Sequence, residues 1–229
     1  MDKTTALPPL LAKLRQTLSE PGCPLCRLSA DAEKAYIDSL NYERVLDLKT
    51  RDALKASRGL CAAHSRQWQN LQGSALSVAI VYRVAVLDLL RDTDPAATKG
   101  GFLRQDKGPG QMAQRLESSG VCLACEQGAE AAQRFADELI KDLGAEETQN
   151  LLRECGGLCL PHLRMALRRP GAGKTHKLLL EAQRAAWQAL MADVEEFIRK
   201  NDYRFRQEKL SDAEADSWIR AVDALVGRE

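Results

Sequence analysis

The chain has 229 residues, of which 45% are hydrophobic, enough to bury a core in one large domain or two small ones. Lys and Arg number 33 against 32 Asp and Glu, a balance that excludes both a strongly basic protein coating nucleic acid by charge alone and an acidic disordered chain. The most apolar stretch, Ala75 to Leu90, is interrupted by Arg83 and Asp88, so no membrane span is expected.

The opening Met1-Asp2-Lys3-Thr4-Thr5 leads only to Leu10-Leu11, too short for a signal-peptide core, and a cytoplasmic protein is expected. The first chemical motif is Cys23-Pro24-Leu25-Cys26. Behind it Leu28, Ala32, Ala35, Tyr36 and Leu40 recur at helical spacing. Cys61-Ala62-Ala63-His64 follows after 34 residues, introduced by Gly59-Leu60. The next helix is long. Leu76, Ile80, Val84 and Leu87 form its stripe, and Val78, Val81 and Val86 on other faces predict that it is central and buried.

Asp94 to Gln111 carries Pro95, Gly100, Gly101, Gly108, Pro109 and Gly110, the composition of a linker. Cys122-Leu123-Ala124-Cys125 then opens a helix with Ala129, Ala132, Phe135, Ala136, Leu139, Ile140 and Leu143 on one face, stopped at Gly144. Thr148, Leu151, Leu152 and Cys155 share a face of a shorter helix. Cys159-Leu160-Pro161-His162 follows Cys125 after 33 intervening residues. Trp187, Leu190, Met191, Val194 and Ile198 mark a last long helix. In the tail, Ser211-Asp212-Ala213-Glu214 is a capping-box pattern, and Trp218, Ala221, Val222 and Leu225 give one apolar side of a short helix that docks on the body. No segment sustains a period of two, so the expected fold is all-α.

Two C-x2-C … C-x2-H sets, offset by 99 residues at the first pair and 98 at the second, indicate an internal repeat. The expected organisation is a first zinc-binding helical repeat at 1–105 with its trailing linker, a second at 106–206, and a C-terminal amphipathic helix at 207–229. A zinc ion takes four soft or borderline donors in a tetrahedron. Cys23, Cys26, Cys61 and His64 would supply one set, and Cys122, Cys125, Cys159 and His162 the other. The insert between the pairs suits two helices of about 12 to 15 residues that go out and come back. Helix N-termini beside the sulfurs would favour thiolates. Four protein donors leave no open position for water, so both sites read as structural, each contributing on the order of 10 kcal/mol to folding. An Fe–S cluster is the alternative occupant of such a set. Seven cysteines, an odd count, argue against a disulfide framework.

Other residues read more plainly. Cys155 falls outside the repeated set and reads as buried filler, against a reactive thiol. His176 reads as a helix N-terminal histidine, against an acid–base group. Gly171-Ala172-Gly173-Lys174-Thr175 lacks the earlier glycine of a phosphate loop, with Arg168 in its place, and follows a helix where a strand is needed. It joins two helices. Arg199, Lys200, Tyr203, Arg204, Arg206 and Lys209, with Phe205, either track a nucleic-acid backbone or form a solvated helix end.

Cys23-Pro24-Leu25-Cys26, Gly59-Leu60-Cys61 with His64, Gly157-Leu158-Cys159 with His162, and Arg199-Lys200-Asn201-Asp202-Tyr203-Arg204-Phe205 together resemble a prokaryotic family of domains of unknown function. The resemblance covers nearly the whole chain and implies a cytoplasmic helical protein without specifying an activity. Within the repeat, Pro24 has Leu123 as its counterpart. The function expected is a non-enzymatic, zinc-stabilised helical protein, with two ions per chain, that binds a protein or nucleic acid and no membrane. A thiol-redox or metal-responsive switch using the C-x2-C pairs is the alternative. An enzyme acting through His176 or Cys155 is a third.

Overall fold

In a computed structural model the described residues, 7–94, 108–205 and 207–227, form α-helices and short 3-10 turns, with no strand among them. The opening Met1 to Thr5, the linker residues Pro95, Gly100 and Gly101 with the boundary near residue 105, and Arg206 lie outside the described residues. The helices are α1 (Pro9–Leu18), α2 (Pro24–Tyr42), α3 (Leu48–Ala56), α4 (Ala62–Gln69), α5 (Ala75–Asp92), α6 (Gly108–Leu116), α7 (Leu123–Asp142), α8 (Glu146–Glu154), α9 (Leu160–Leu167), α10 (Gly173–Lys200), α11 (Asp212–Ala215) and α12 (Ser217–Val226).

Two compact units result. Unit 1 takes Met1–Asp31 with Ala129–Glu229, and unit 2 takes Ala32–Gly128. The division falls inside α2 and α7, so one long helix carries the chain out of unit 1 and another carries it back.

The core of unit 1 is built from Leu11, Leu14 and Leu18 of α1, the α7 face from Phe135 to Leu143, Leu152 and Cys155, Leu163 and Ala166, and Leu179 and Ala182. Arg15 Nε donates to Asp142 Oδ2 at 3.0 Å, tying α1 to the end of α7. Thr148 Oγ1 donates to the same carboxylate oxygen at 2.5 Å. The unit 2 core gathers Tyr36, Ile37 and Leu40 around Trp68, Leu54 and Val81. Trp68 is fully buried, and its indole N–H donates to Asn41 Oδ1 at 3.2 Å, satisfying the polar atom that burial strips of water.

One local backbone pattern recurs at two places. Each short helix before a C-x2-H ends in two left-handed residues: Arg58 (φ 55°) and Gly59 (φ 99°) after α3, Gly156 (φ 93°) and Gly157 (φ 79°) after α8. The Gly59 N–H donates to Leu54 O at 2.8 Å and the Gly157 N–H to Leu152 O at 2.9 Å, the same Schellman closure twice. These stops aim Cys61 and Cys159 at the starts of α4 and α9.

Three expectations change. The α5 helix is not buried all round: Ser77, Val81 and Ala85 face inward, while Leu76, Val86, Leu87 and Leu90 are exposed. On α10 the buried face is Leu179, Ala182, Gln183 and Ala186, with Met191 and Ile198 exposed. The tail helix docks in reverse. Its capping box is present at Ser211 and Glu214, but the inward side carries Ser217, Ala221 and Ala224, and the apolar side faces out. On α5 and α12 the inward sides carry small residues, which permit close helix approach.

Candidate metal centres

All four Cys/His pairs occupy the same local position. Cys23 and Cys122 immediately precede α2 and α7, and Cys26 and Cys125 are their third residues. Cys61 and Cys159 are the N-caps of α4 and α9, with His64 and His162 at the third helical position. A C-x2-C or C-x2-H is therefore one first helical turn, which places both donors on the same side. The Cys61 and Cys159 carbonyls accept the opening helical bonds from Ser65 and Leu163, both at 2.8 Å.

The pairing of these turns differs from the order of the repeat. Cys23 and Cys26 meet Cys159 and His162 in unit 1; Cys122 and Cys125 meet Cys61 and His64 in unit 2. Each compact unit holds one set of three cysteines and one histidine, but each set joins a pair from the first half to a pair from the second. Helix lengths give the reason. After Cys23 the chain runs out along the 19 residues of α2 and returns along only 9 in α3; after Cys122 it runs out along the 20 of α7 and returns along 9 in α8. At 1.5 Å per residue, an outward leg of nearly 30 Å meets a return leg of about 13 Å. A hairpin of equal arms would favour closing each set on itself, and these arms are unequal.

The donors suit a single ion. In each set all four ligand atoms lie within 4.8 Å of one another. In unit 1, His162 Nδ1 stands 3.5, 3.3 and 3.2 Å from the sulfurs of Cys23, Cys26 and Cys159, and Cys26 Sγ lies 3.6 Å from Cys159 Sγ. In unit 2, His64 Nδ1 stands 3.3, 3.5 and 3.3 Å from Cys61, Cys122 and Cys125, and the Cys61 and Cys125 sulfurs are 3.8 Å apart. Tetrahedral zinc, with bonds of about 2.3 Å to sulfur and 2.0 Å to nitrogen, sets edges of roughly 3.8 Å between sulfurs and roughly 3.5 Å between sulfur and nitrogen. The observed edges are close to these values.

As bare side chains several of the donors hold protons tightly. Burial, then the Cys122 and Cys61 thiols, push the Cys125 thiol up to about 12. For Cys23 the hydrogen bond to Cys159 lowers the value, but the bond to Cys26 and burial outweigh it, and the thiol rises to about 11. Burial lowers His162, yet hydrogen bonds to Cys159 and Cys26 carry it up to about 9. Cys61 moves down: burial raises it, and hydrogen bonds from the His64 backbone and the Cys122 and Cys125 thiols more than offset this. An entering cation displaces this load of protons, which couples affinity to pH.

The surroundings of the two sets differ. In unit 1, Cys26 and Cys159 are only 6% and 1% exposed. Gly227, in the left-handed region (φ 85°), lies so close that a Cβ there would stand 3.5 Å from Cys159 Sγ and 3.6 Å from Cys26 Sγ. In unit 2, Cys125 is exposed. There the imidazole has a carboxylate behind it, His64 Nε2 lying 3.3 Å from Glu33 Oε2. That hydrogen bond leaves Nδ1 as the donor to a metal. Gly128 makes room for the carboxylate, since a Cβ at that position would meet the Glu33 side chain. Neither Glu33 nor Gly227 was singled out by sequence. A glutamate two helical turns beyond Cys26 on α2 has no spacing signal linking it to His64.

The C-x2-H turns are held from behind by the long helices. In unit 2 the Leu60 N–H donates to Tyr82 Oη at 3.2 Å, and in unit 1 the Leu158 N–H donates to Gln183 Oε1 at 2.8 Å. A Cβ on Gly59 would stand 2.7 Å from the Tyr82 ring, and one on Gly157 2.6 Å from the Gln183 amide. Both glycines thus satisfy a left-handed backbone and a close approach at once.

Cys155 is in neither set. It is buried in the unit 1 core, its thiol donates to Leu152 O at 3.3 Å, and burial raises its pKa. His176 sits in the first turn of α10 with Nε2 3.2 Å from Arg169 O. Three cations of the basic stretch are paired with carboxylates: Arg199 with Glu196 and Glu208, Lys200 with Glu214, and Arg204 with Asp202. Both Arg199 and Arg204 lie over the Phe205 ring. No helix among the described residues is long and apolar enough to cross a membrane.

Residues 14–229 match the family of unknown function DUF6062, and the chain belongs to it. No curated protein and no solved structure matches the chain.

Proposed function

From membership of a family without an assigned role, we propose that this protein is a zinc-stapled helical binding protein, with one structural zinc ion in each unit and a macromolecular partner. The carrying observation is the closed tetrahedron of donors in each unit, joining turns that lie 133 residues apart in unit 1 (Cys26 to Cys159) and 58 apart in unit 2 (His64 to Cys122). Such a clasp fixes the two ends of a long excursion together, and structural zinc is worth on the order of 10 kcal/mol. Three thiolates and one imidazole fill the coordination sphere of zinc and leave no position for a substrate, so the ion works as a staple. Donors within 4.8 Å of one another support one ion over an Fe–S cluster, whose thiolates are held apart by the width of the cluster. None of the seven cysteines forms a disulfide, which is in keeping with the reducing environment of the cytoplasm.

A protein partner is favoured over nucleic acid because Arg199, Lys200 and Arg204 already face carboxylates, leaving little charge to release counterions from a phosphate backbone. Elemental analysis of the purified chain, read with its absorption spectrum, tests the metal reading. Two zinc ions and no visible colour are expected. An iron content with a brown or red spectrum would overturn it.

A second reading, a redox-responsive site in unit 2, is favoured by one observation: Cys125 is exposed and its sulfur is 3.8 Å from that of Cys61. A peroxide would oxidise these two thiolates to a disulfide, taking up two protons and leaving as two waters while the ion is released.

A further inference from the structure

The tail helix presents its apolar side to the outside. On α12, Trp218, Ile219, Val222, Leu225 and Val226 are 55%, 41%, 53%, 61% and 68% exposed. They occupy positions i, i+1, i+4, i+7 and i+8, one continuous side of a helix. The opposite side is the docked one. Ser217 is fully buried, Ala221 and Ala224 are half-buried, and Arg220 reaches across to Asp193 of α10 at 2.9 Å. This orientation is well fixed. Lys200 Nζ binds Glu214 at 2.7 Å, the Ser211–Glu214 box closes the turn before α12, and Gly227, which caps its far end, lies against the sulfurs of Cys26 and Cys159. The helix is held at both ends with its less apolar side inward, so the outward apolar side is a built surface.

We infer that this face of α12 is a homodimer interface, occupied by α12 of a second copy of the chain across a twofold axis. Side chains of these sizes and exposures offer roughly 500 Å² of apolar surface, at the upper end of the patch a monomer leaves open to water. Two such faces bury about 1,000 Å² between them, the lower bound for a specific interface. A twofold contact is self-complementary by construction and uses the same patch twice. Charge permits it. Arg220 is the one cation of α12 and is already paired with Asp193 and Asp216, and Asp223 is its one acid, so a second copy brings no strong like-charge repulsion. The same pairing disfavours a nucleic acid or an anionic membrane, each of which needs unpaired cations beside the apolar side. Trp218, large and amphipathic, is the residue type that anchors such contacts. The inference does not depend on which metal the clusters hold.

Sedimentation velocity of the full, metal-loaded chain between about 1 and 100 μM tests it. The wild type is expected to move from monomer to dimer across this range. Val222→Asp, at the centre of the face, is expected to weaken the dimer at least about thirtyfold, with helical content by circular dichroism and metal content unchanged. Should Val222→Asp disturb folding, Val222→Ser gives the same direction with a milder change. Leu76→Asp, on the exposed apolar side of α5, is the control and should leave the dimer constant as it is. A wild type that stays monomeric at 100 μM, or a dimer that survives the position 222 variants or is abolished by Leu76→Asp, overturns the proposal.

Discussion

In unit 1 the sulfurs of Cys26 and Cys159 are buried and the end of α12 lies against them; in unit 2 Cys125 meets solvent and His64 leans on Glu33. The donors are the same in type, number and helical position. What differs is the second layer: backbone cover in one unit, a carboxylate behind the imidazole in the other. Donor identity sets which ion is held, while cover and outer hydrogen bonds set how easily it leaves or reacts. The unit 1 group is thus the more enclosed and the unit 2 group the more accessible.

The largest effect that would break this comparison comes from the ligands themselves. Cys159→Ser should remove the ion from unit 1 and abolish its cooperative melting, a loss on the order of 10 kcal/mol, while the unit 2 ion stays. The crossed pairing makes the sharper statement. Cys23→Ser with Cys159→Ser should cost one ion per chain, and Cys23→Ser with Cys61→Ser both. Elemental analysis of the two double variants showing the reverse would restore the pairing expected from sequence order.

A graded oxidation sharpens the contrast between cover and exposure. Under sub-stoichiometric peroxide, zinc release followed with a chromogenic chelator should be biphasic. Peptide mapping should place the early disulfide between Cys61 and Cys125, with Cys23, Cys26 and Cys159 still reduced. Simultaneous release from both units would remove the redox reading of unit 2.

The smallest effect isolates the outer hydrogen bond. Glu33→Ala should weaken the unit 2 site by about ten- to a hundredfold in a competition titration and leave unit 1 unchanged. Equal weakening of both units, or none, would show that the carboxylate does not position His64.

Much of this was legible without coordinates, for identifiable reasons. The eight donors stand out because paired Cys and His at a spacing of three mark one helical turn, and duplication makes coincidence improbable. The apolar face of α7 reads well because every residue from Ala132 to Leu143 assigned to it is buried. The α1 helix was passed over, although Leu11, Leu14 and Leu18 at helical spacing behind Pro8-Pro9 signal it. Helices α5 and α12 misled because periodicity reports that an apolar stripe exists and is silent on which side a neighbour will take.

The sequence by itself determined an all-helical chain, the repeated turns and the eight donors, since each of these depends on residues within a few positions of one another. Only the tertiary structure decided which turns come together, that Glu33 backs His64 and Gly227 covers Cys26 and Cys159, and that α12 turns its apolar side outward. Those outcomes depend on how far each helix carries the chain and on which surfaces can approach closely. Such distances accumulate over dozens of residues, and no local pattern encodes them.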